Sequence, residues 1–155
     1  MNNLMIAIMG SLAYFICYGG NWLFGQCMIE RPIIVGTVTG LLLGDMTTGI
    51  IIGGSLEAIY MGAVNIGGAT SAEPVSATVM SVTFAITAGL NMEEAITLAV
   101  PVGLIFNSIS MVFVMLTNIF QPAYQKVCDE GNGKGLTKVI LTRWFSMYFI
   151  RTIII

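Results

Sequence analysis

Apolar residues in this chain gather into long runs broken by glycine, asparagine and proline, not into the alternating faces of soluble helices or strands. The first run, residues 4–18, predicts a helix a little short for a bilayer crossing, which takes about 20 residues, so a re-entrant course suits it. No Lys or Arg precedes it, as a secretory signal would require, and it reads as a retained helix. The second block, residues 33–66, is too long for one span and too rich in glycine for one straight helix. Gly36, Gly40 and Gly44 recur at four-residue spacing, as do Gly49 and Gly53, which puts small residues on one face for close backbone contact. Gly53-Gly54, Gly62 and Gly67-Gly68 bracket Glu57 and Asn65 and would weaken a helix repeatedly. They predict broken or hairpin helices, whose unwound backbone is tolerated at membrane depth only beside protein or a cavity.

A third run, residues 75–90, closes at Gly89 and Asn91. Asn91 is placed to cap a following helix, with Glu93 and Glu94 in its positively polarised first turn. That helix, residues 92 to about 120, is long enough to span; Pro101 should bend it, and Asn107 could bond to a neighbouring helix. Residues 121–138 read as the only substantial polar loop. With Lys126, Lys134 and Lys138 in it and Arg143 just beyond, it is expected on the cytoplasmic side. The last segment, residues 139–155, is largely apolar and stops without a polar flank after Arg151, the pattern expected of a truncated or split coding unit.

Composition narrows the class. Hydrophobic residues make up 56% of the 155 and charged residues only 9%, against about a quarter charged in soluble domains. The expected fold is an all-α integral membrane protein of polytopic helices with glycine-broken or re-entrant hairpin segments, one membrane domain over residues 1–155, with the lipid bilayer as its main solvent. A net charge of −2 from so few ionisable groups excludes a nucleic-acid partner, which needs a basic face. Cys17, Cys27 and Cys128 show neither metal-ligand spacing nor the even count of a disulfide framework, and read as small apolar filler. The chain has no histidine, which removes Ser/His, HExxH and imidazole acid–base chemistry, and no GK[ST] follows its glycines. No catalytic residue, metal or cofactor is expected, and transport energy must come from a gradient or a partner.

Asp45, Glu57 and Glu73 then stand out, because a carboxylate in a bilayer core costs at least a few kcal/mol unless it faces protein, water or a polar substrate. The residues around them also carry a resemblance. RPIIVGTVTGLLLGD, then TGIIIGGSLEAIYMGAVNIGGA, then the acid of SAEP, with LAVPVGLIFN and QPAYQKVCDEGN beyond, resemble the N-terminal half of the IIC subunit of the mannose/sorbose family of the bacterial phosphoenolpyruvate-dependent sugar phosphotransferase system (PTS). Family IIC subunits are considerably longer than this chain.

The resemblance implies a transport subunit of the bacterial cytoplasmic (inner) membrane, multi-pass, pairing with a IID membrane subunit in a trimer of IIC-IID pairs. It implies inward movement of a sugar such as mannose, sorbose or N-acetylgalactosamine to a cytoplasmic IIB domain, the phosphoryl group coming from histidines on IIA and IIB. A chain without histidine fits that division. Sugar hydroxyls need paired donors and acceptors, which carboxylates and carboxamides supply. Glu57, Glu73 and Asn65 fall at polar positions of the family pattern and rank in that order as sugar-binding candidates. Asp45 is a further candidate, with a rival reading as a helix-end or interface residue beside Met46-Thr47-Thr48. Gln26, before the Arg31-Pro32 turn, is the last, and Glu30 and Arg31 read as a surface or headgroup pair. The competing classes are a gradient-driven secondary transporter, a structural membrane scaffold and a non-functional truncated relic.

Overall fold

The computed structural model describes residues 3–25, 27–62, 72–131 and 133–154, without the side chains of Trp22 and Leu23. All regular structure among them is helical. The first run forms α1 (Asn3–Tyr14), which passes through a π-helical segment, Phe15–Gly19, into the short α2 (Gly20–Leu23). The helical course therefore outlasts the expected end at residue 18. The π segment holds Cys17 and Tyr18, and such widened turns often mark functional sites.

The glycine-rich block folds as a hairpin of α3 (Pro32–Leu43) and α4 (Met46–Tyr60). Pro32 suits the first turn of α3, where its missing N–H costs nothing. Gly44 ends that helix in the left-handed region at φ 90°, a conformation glycine adopts without a Cβ penalty. At 12 and 15 residues, each arm is about 18 to 22 Å long, short of a hydrocarbon core of roughly 30 Å. Gly36, Gly40, Gly49 and Gly53 form the contact surface between the arms: a Cβ added at Gly36 would lie 2.5 Å from the Gly49 carbonyl oxygen, and one at Gly40 would lie 2.6 Å from that of Asp45, whereas Gly44, expected on the same face, meets nothing within 4 Å and serves as the cap instead.

At the centre stands α5 (Pro74–Ala88), whose Ser76, Ala77, Thr78, Ser81 and Ala85 are small enough to let neighbours approach on several sides. One buried cluster joins it to α4 and α6 through Ile52, Leu56, Tyr60, Val82 and Ala99. A second joins it to α1 and α3 through Ala13, Tyr14, Val35, Val75 and Val79. The long helix α6 (Met92–Thr117) starts as expected at Asn91, whose backbone N–H donates to the Glu94 carboxylate at 2.9 Å, closing a capping box. With its extension, residues 92–129, it is the one candidate among the described residues long and apolar enough to cross a membrane by length and composition.

Polar side chains such as Thr39, Glu73, Ser76 and Thr78 are buried, while Leu104, Ile105, Val112, Val114 and Met115 of α6 face outward. A soluble domain would pay for so much exposed apolar surface; a bilayer or apolar partner helices would not.

The residues expected to form a polar loop are mostly helical. After a 3₁₀ turn, Asn118–Phe120, come α7 (Gln121–Asp129) and α8 (Gly133–Ile154), with a turn at Glu130 and Gly131 between them among the described residues. Pro122 sits in the first turn of α7, where proline starts a helix instead of breaking it. The cysteines also differ from the expectation: Cys17 is buried filler, but Cys27 and Cys128 are exposed.

Candidate functional site

Glu73 is the most enclosed acidic side chain described, 6% exposed. It occupies the N-cap position of α5 with an extended backbone, and because Pro74 follows, the first helical position offers no N–H to cap. Its carboxylate is held by two hydroxyls: Tyr14 of α1 donates to Oε1 at 2.8 Å, and Ser76 of α5 donates to Oε2 at 2.8 Å. Its backbone N–H donates to the Gly103 carbonyl of α6 at 3.2 Å. Two helices thus bond the carboxylate and a third holds its backbone, beside the positive end of α5. A carboxylate offers about four acceptor positions, and these two bonds occupy two of them.

Around it lies a void of about 10 Å³ bordered by Tyr14, Glu73, Ser110, Phe113 and Arg151, room for roughly one water. Arg151 of α8 donates from Nη1 to the Tyr18 hydroxyl at 2.5 Å and from Nη2 to the Ser110 carbonyl at 3.2 Å. Its guanidinium also lies over the Tyr18 and Phe113 rings, 5.2 and 5.3 Å from their centroids. The Tyr14 and Tyr18 rings stack at 5.2 Å, so one hydroxyl of the pair serves the acid and the other the base. On the far side, Arg151 and Phe113 border a cleft of about 600 Å³ walled by Tyr18, Tyr124, Trp144 and Tyr148.

Glu57 is separate from this cluster. Its Oε1 accepts from Arg31 Nη1 at 3.3 Å and its Oε2 from the Ile33 backbone N–H at 3.5 Å, at the start of α3. Glu57 and Glu73 share no hydrogen-bond partner among the described residues. The pairing corrects the expectation for Arg31, which joins Glu57 across the hairpin and not its neighbour Glu30. Asp45 caps α4, accepting from the Thr48 backbone N–H at 3.1 Å and from its hydroxyl at 2.5 Å. This is the helix-end role that its rival reading allowed. Asn65 and Gln26 lie outside the described residues.

The comparisons decide the class. Residues 4–155 match the family model described as the PTS system sorbose-specific IIC component, EII-Sor. The chain belongs to this family. The PTS mannose-specific EIIC component of Escherichia coli is 36% identical to it over 127 residues, 82% of this chain and 48% of the relative. The sorbose-specific EIIC component of Klebsiella pneumoniae is 32% identical over 117 residues, covering 75% and 44%. A cryoEM structure of the mannose transporter ManYZ superposes with a TM-score of 0.86 at 29% identity, over 99% of this chain and 62% of that one. The chain spans about half the length of these curated relatives. As an EII-Sor member it has the all-helical fold of membrane transporters, and its relatives are permease components of sugar phosphotransferase systems.

Within this EII-Sor fold, Arg151 is the residue that sequence reasoning passed over. Its signal was present: a lone arginine between Ile150 and Thr152 in an apolar segment needs a partner inside the protein or at the interface. Tyr14 and Tyr18 carried a weaker one, as a tyrosine pair one turn apart in an apolar helix.

Proposed function

We propose that this chain is the sugar-translocating portion of a IIC subunit in a phosphoenolpyruvate-dependent phosphotransferase system of the mannose, sorbose or N-acetylgalactosamine type. It carries sugar inward across the bacterial cytoplasmic membrane, with several passes, to be phosphorylated by IIB. It works beside a IID membrane subunit in a trimer of IIC-IID pairs, with IIA and IIB supplying the phosphoryl group. The chain itself performs no chemistry: it has no histidine to carry a phosphoryl group.

The observation that carries the reading to a site is the Glu73 carboxylate, enclosed by three helices and bonded by two neutral hydroxyls. Such a carboxylate can accept from two neighbouring sugar hydroxyls, and a low-dielectric surround strengthens both bonds. Glu73 therefore moves ahead of Glu57, whose oxygens are engaged by Arg31 and the start of α3. Asn65 and Gln26 stay in the proposed site as sugar-facing carboxamides on the sequence argument. Asp45 and Glu57 are assigned to shaping the hairpin.

The test is phosphorylation of labelled sugar by membranes holding this chain within a complete IIC subunit, together with IID and the IIA and IIB carriers. Sugar phosphate formed only with phosphoenolpyruvate supports the reading. Uptake of unmodified sugar that collapses with the proton or sodium gradient would contradict it and favour a secondary transporter.

A further inference from the structure

We propose that Arg151 is the counter-charge of Glu73, a positioning residue whose guanidinium permits the carboxylate to remain enclosed and so fixes where a ligand's hydroxyls can bind. Glu73 is buried, yet its direct side-chain partners, Tyr14 and Ser76, are neutral. Burying an isolated charge costs far more than two ordinary hydrogen bonds return. Arg151 meets the complementary problem: it sits in an apolar helix, and its partners are a tyrosine hydroxyl, a backbone carbonyl and two aromatic faces. Among the described residues, the recorded ion pair is Arg31–Glu57, so neither Glu73 nor Arg151 has a direct one.

These two charges border the same water-sized void. The stacked Tyr14 and Tyr18 rings hold them apart, one hydroxyl on each. The arrangement compensates charge without a direct contact, which would consume the carboxylate's free acceptor positions. Arg151 thereby links α8 to the carboxylate at the head of α5. The charge pairing stands on the geometry alone; only its consequence for sugar rests on the transport reading.

A merely structural Arg151, tying α8 to Tyr18 and Ser110, would behave differently from a counter-charge. Glutamine at 151 removes the charge, and its shorter side chain also gives up the guanidinium's reach to Tyr18 and Ser110, so the double variant and the lysine variant carry the distinction. The experiment measures the folded fraction of this chain within a complete IIC subunit in membranes, as the amount surviving mild detergent and heating. Arg151→Gln and Glu73→Gln should each lower it at least about tenfold, by leaving one buried charge uncompensated. The double variant should recover to within about threefold of wild type, because both charges leave together, and Arg151→Lys should retain most of the fraction. A double variant as poor as the two losses combined would overturn the proposal. So would single variants without effect, or a lysine no better than glutamine. Because the readout is folding and not uptake, its failure is distinct from failure of the transport function.

Discussion

The Tyr14 hydroxyl donates to the Glu73 carboxylate at 2.8 Å across 59 residues of sequence, tying the first helix to the head of the central one. Ser76 supplies the other oxygen from the helix Glu73 itself begins. The two bonds fix the carboxylate's orientation and leave its remaining acceptor positions directed away from both hydroxyls.

Tyr14→Phe keeps the ring that stacks on Tyr18 and deletes only the donor to Glu73. A hydrogen bond to a charged group is worth about 1.5–3 kcal/mol, so stability should fall by that amount. Tyr60→Phe, which loses a neutral bond to the Ala99 carbonyl at 3.0 Å, should cost only about 1 kcal/mol. Unfolding midpoints of both variants in one detergent series check the difference. Equal losses would argue against a charged acceptor at Glu73.

Gly49→Ala should open the hairpin of α3 and α4, since the new Cβ would strike the Gly36 carbonyl and crowd the Gly40 Cα at 2.9 Å. Two packed backbones cannot yield as a side-chain end can, and overpacking of this kind costs roughly 1–3 kcal/mol. Gly54→Ala, one residue beyond Gly53 on the same helix, meets nothing within 4 Å. There alanine should be neutral or stabilising by up to about 1 kcal/mol through helix propensity. Thermal survival of the two variants reads the contrast directly.

Much of this architecture was legible because it rests on local chemistry. Asn91 with Glu94 starts α6 by a capping box, and Asp45 caps α4 as its helix-end reading allowed, both local to a few residues, whereas Gly44, read as part of the packing face, is the left-handed cap of α3. The four-residue glycine spacing foretold close helix contact, although it could not name the partner helix. What stayed hidden depends on contacts distant in sequence. Arg31 finds Glu57 only because the hairpin folds back 26 residues, and Arg151 reaches Tyr18 over 133. The helix α7 was masked by composition: Gln121, Gln125, Lys126 and Asp129 make residues 121–129 look like a loop, while Tyr124 and Val127 give it one less exposed side.

Arg31→Gln should lower stability by no more than about 1 kcal/mol, since the pair is half open to solvent, with side chains 46% and 24% exposed. Raising salt should shrink the difference between wild type and variant further. A loss of several kcal/mol would mean that the pair is enclosed by more of the assembly than this chain.

The turn between α7 and α8 should face the cytoplasm, given Lys126, Lys134 and Lys138 around it. Cys128 is exposed near the end of α7 and serves as the probe once exposed Cys27 and buried Cys17 are replaced. A membrane-impermeant thiol reagent should label it in inverted vesicles and not in intact cells. Labelling from outside would reverse the orientation.

The central claim is that Glu73 accepts the sugar, and the most direct measurement is uptake of labelled mannose, sorbose and N-acetylgalactosamine per folded subunit. The cells should carry this chain within a complete IIC subunit, with IID, IIA and IIB present. Glu73→Gln replaces a charged acceptor with a neutral amide and should cut uptake of the transported sugar by about tenfold to a hundredfold, the range for losing a hydrogen bond to a charged group. The Glu73→Gln/Arg151→Gln pair should be equally inactive even if its folding recovers, whereas Glu57→Gln should lose far less. Uptake per folded Glu73→Gln subunit within about twofold of wild type, for every sugar the wild type carries, would contradict the account.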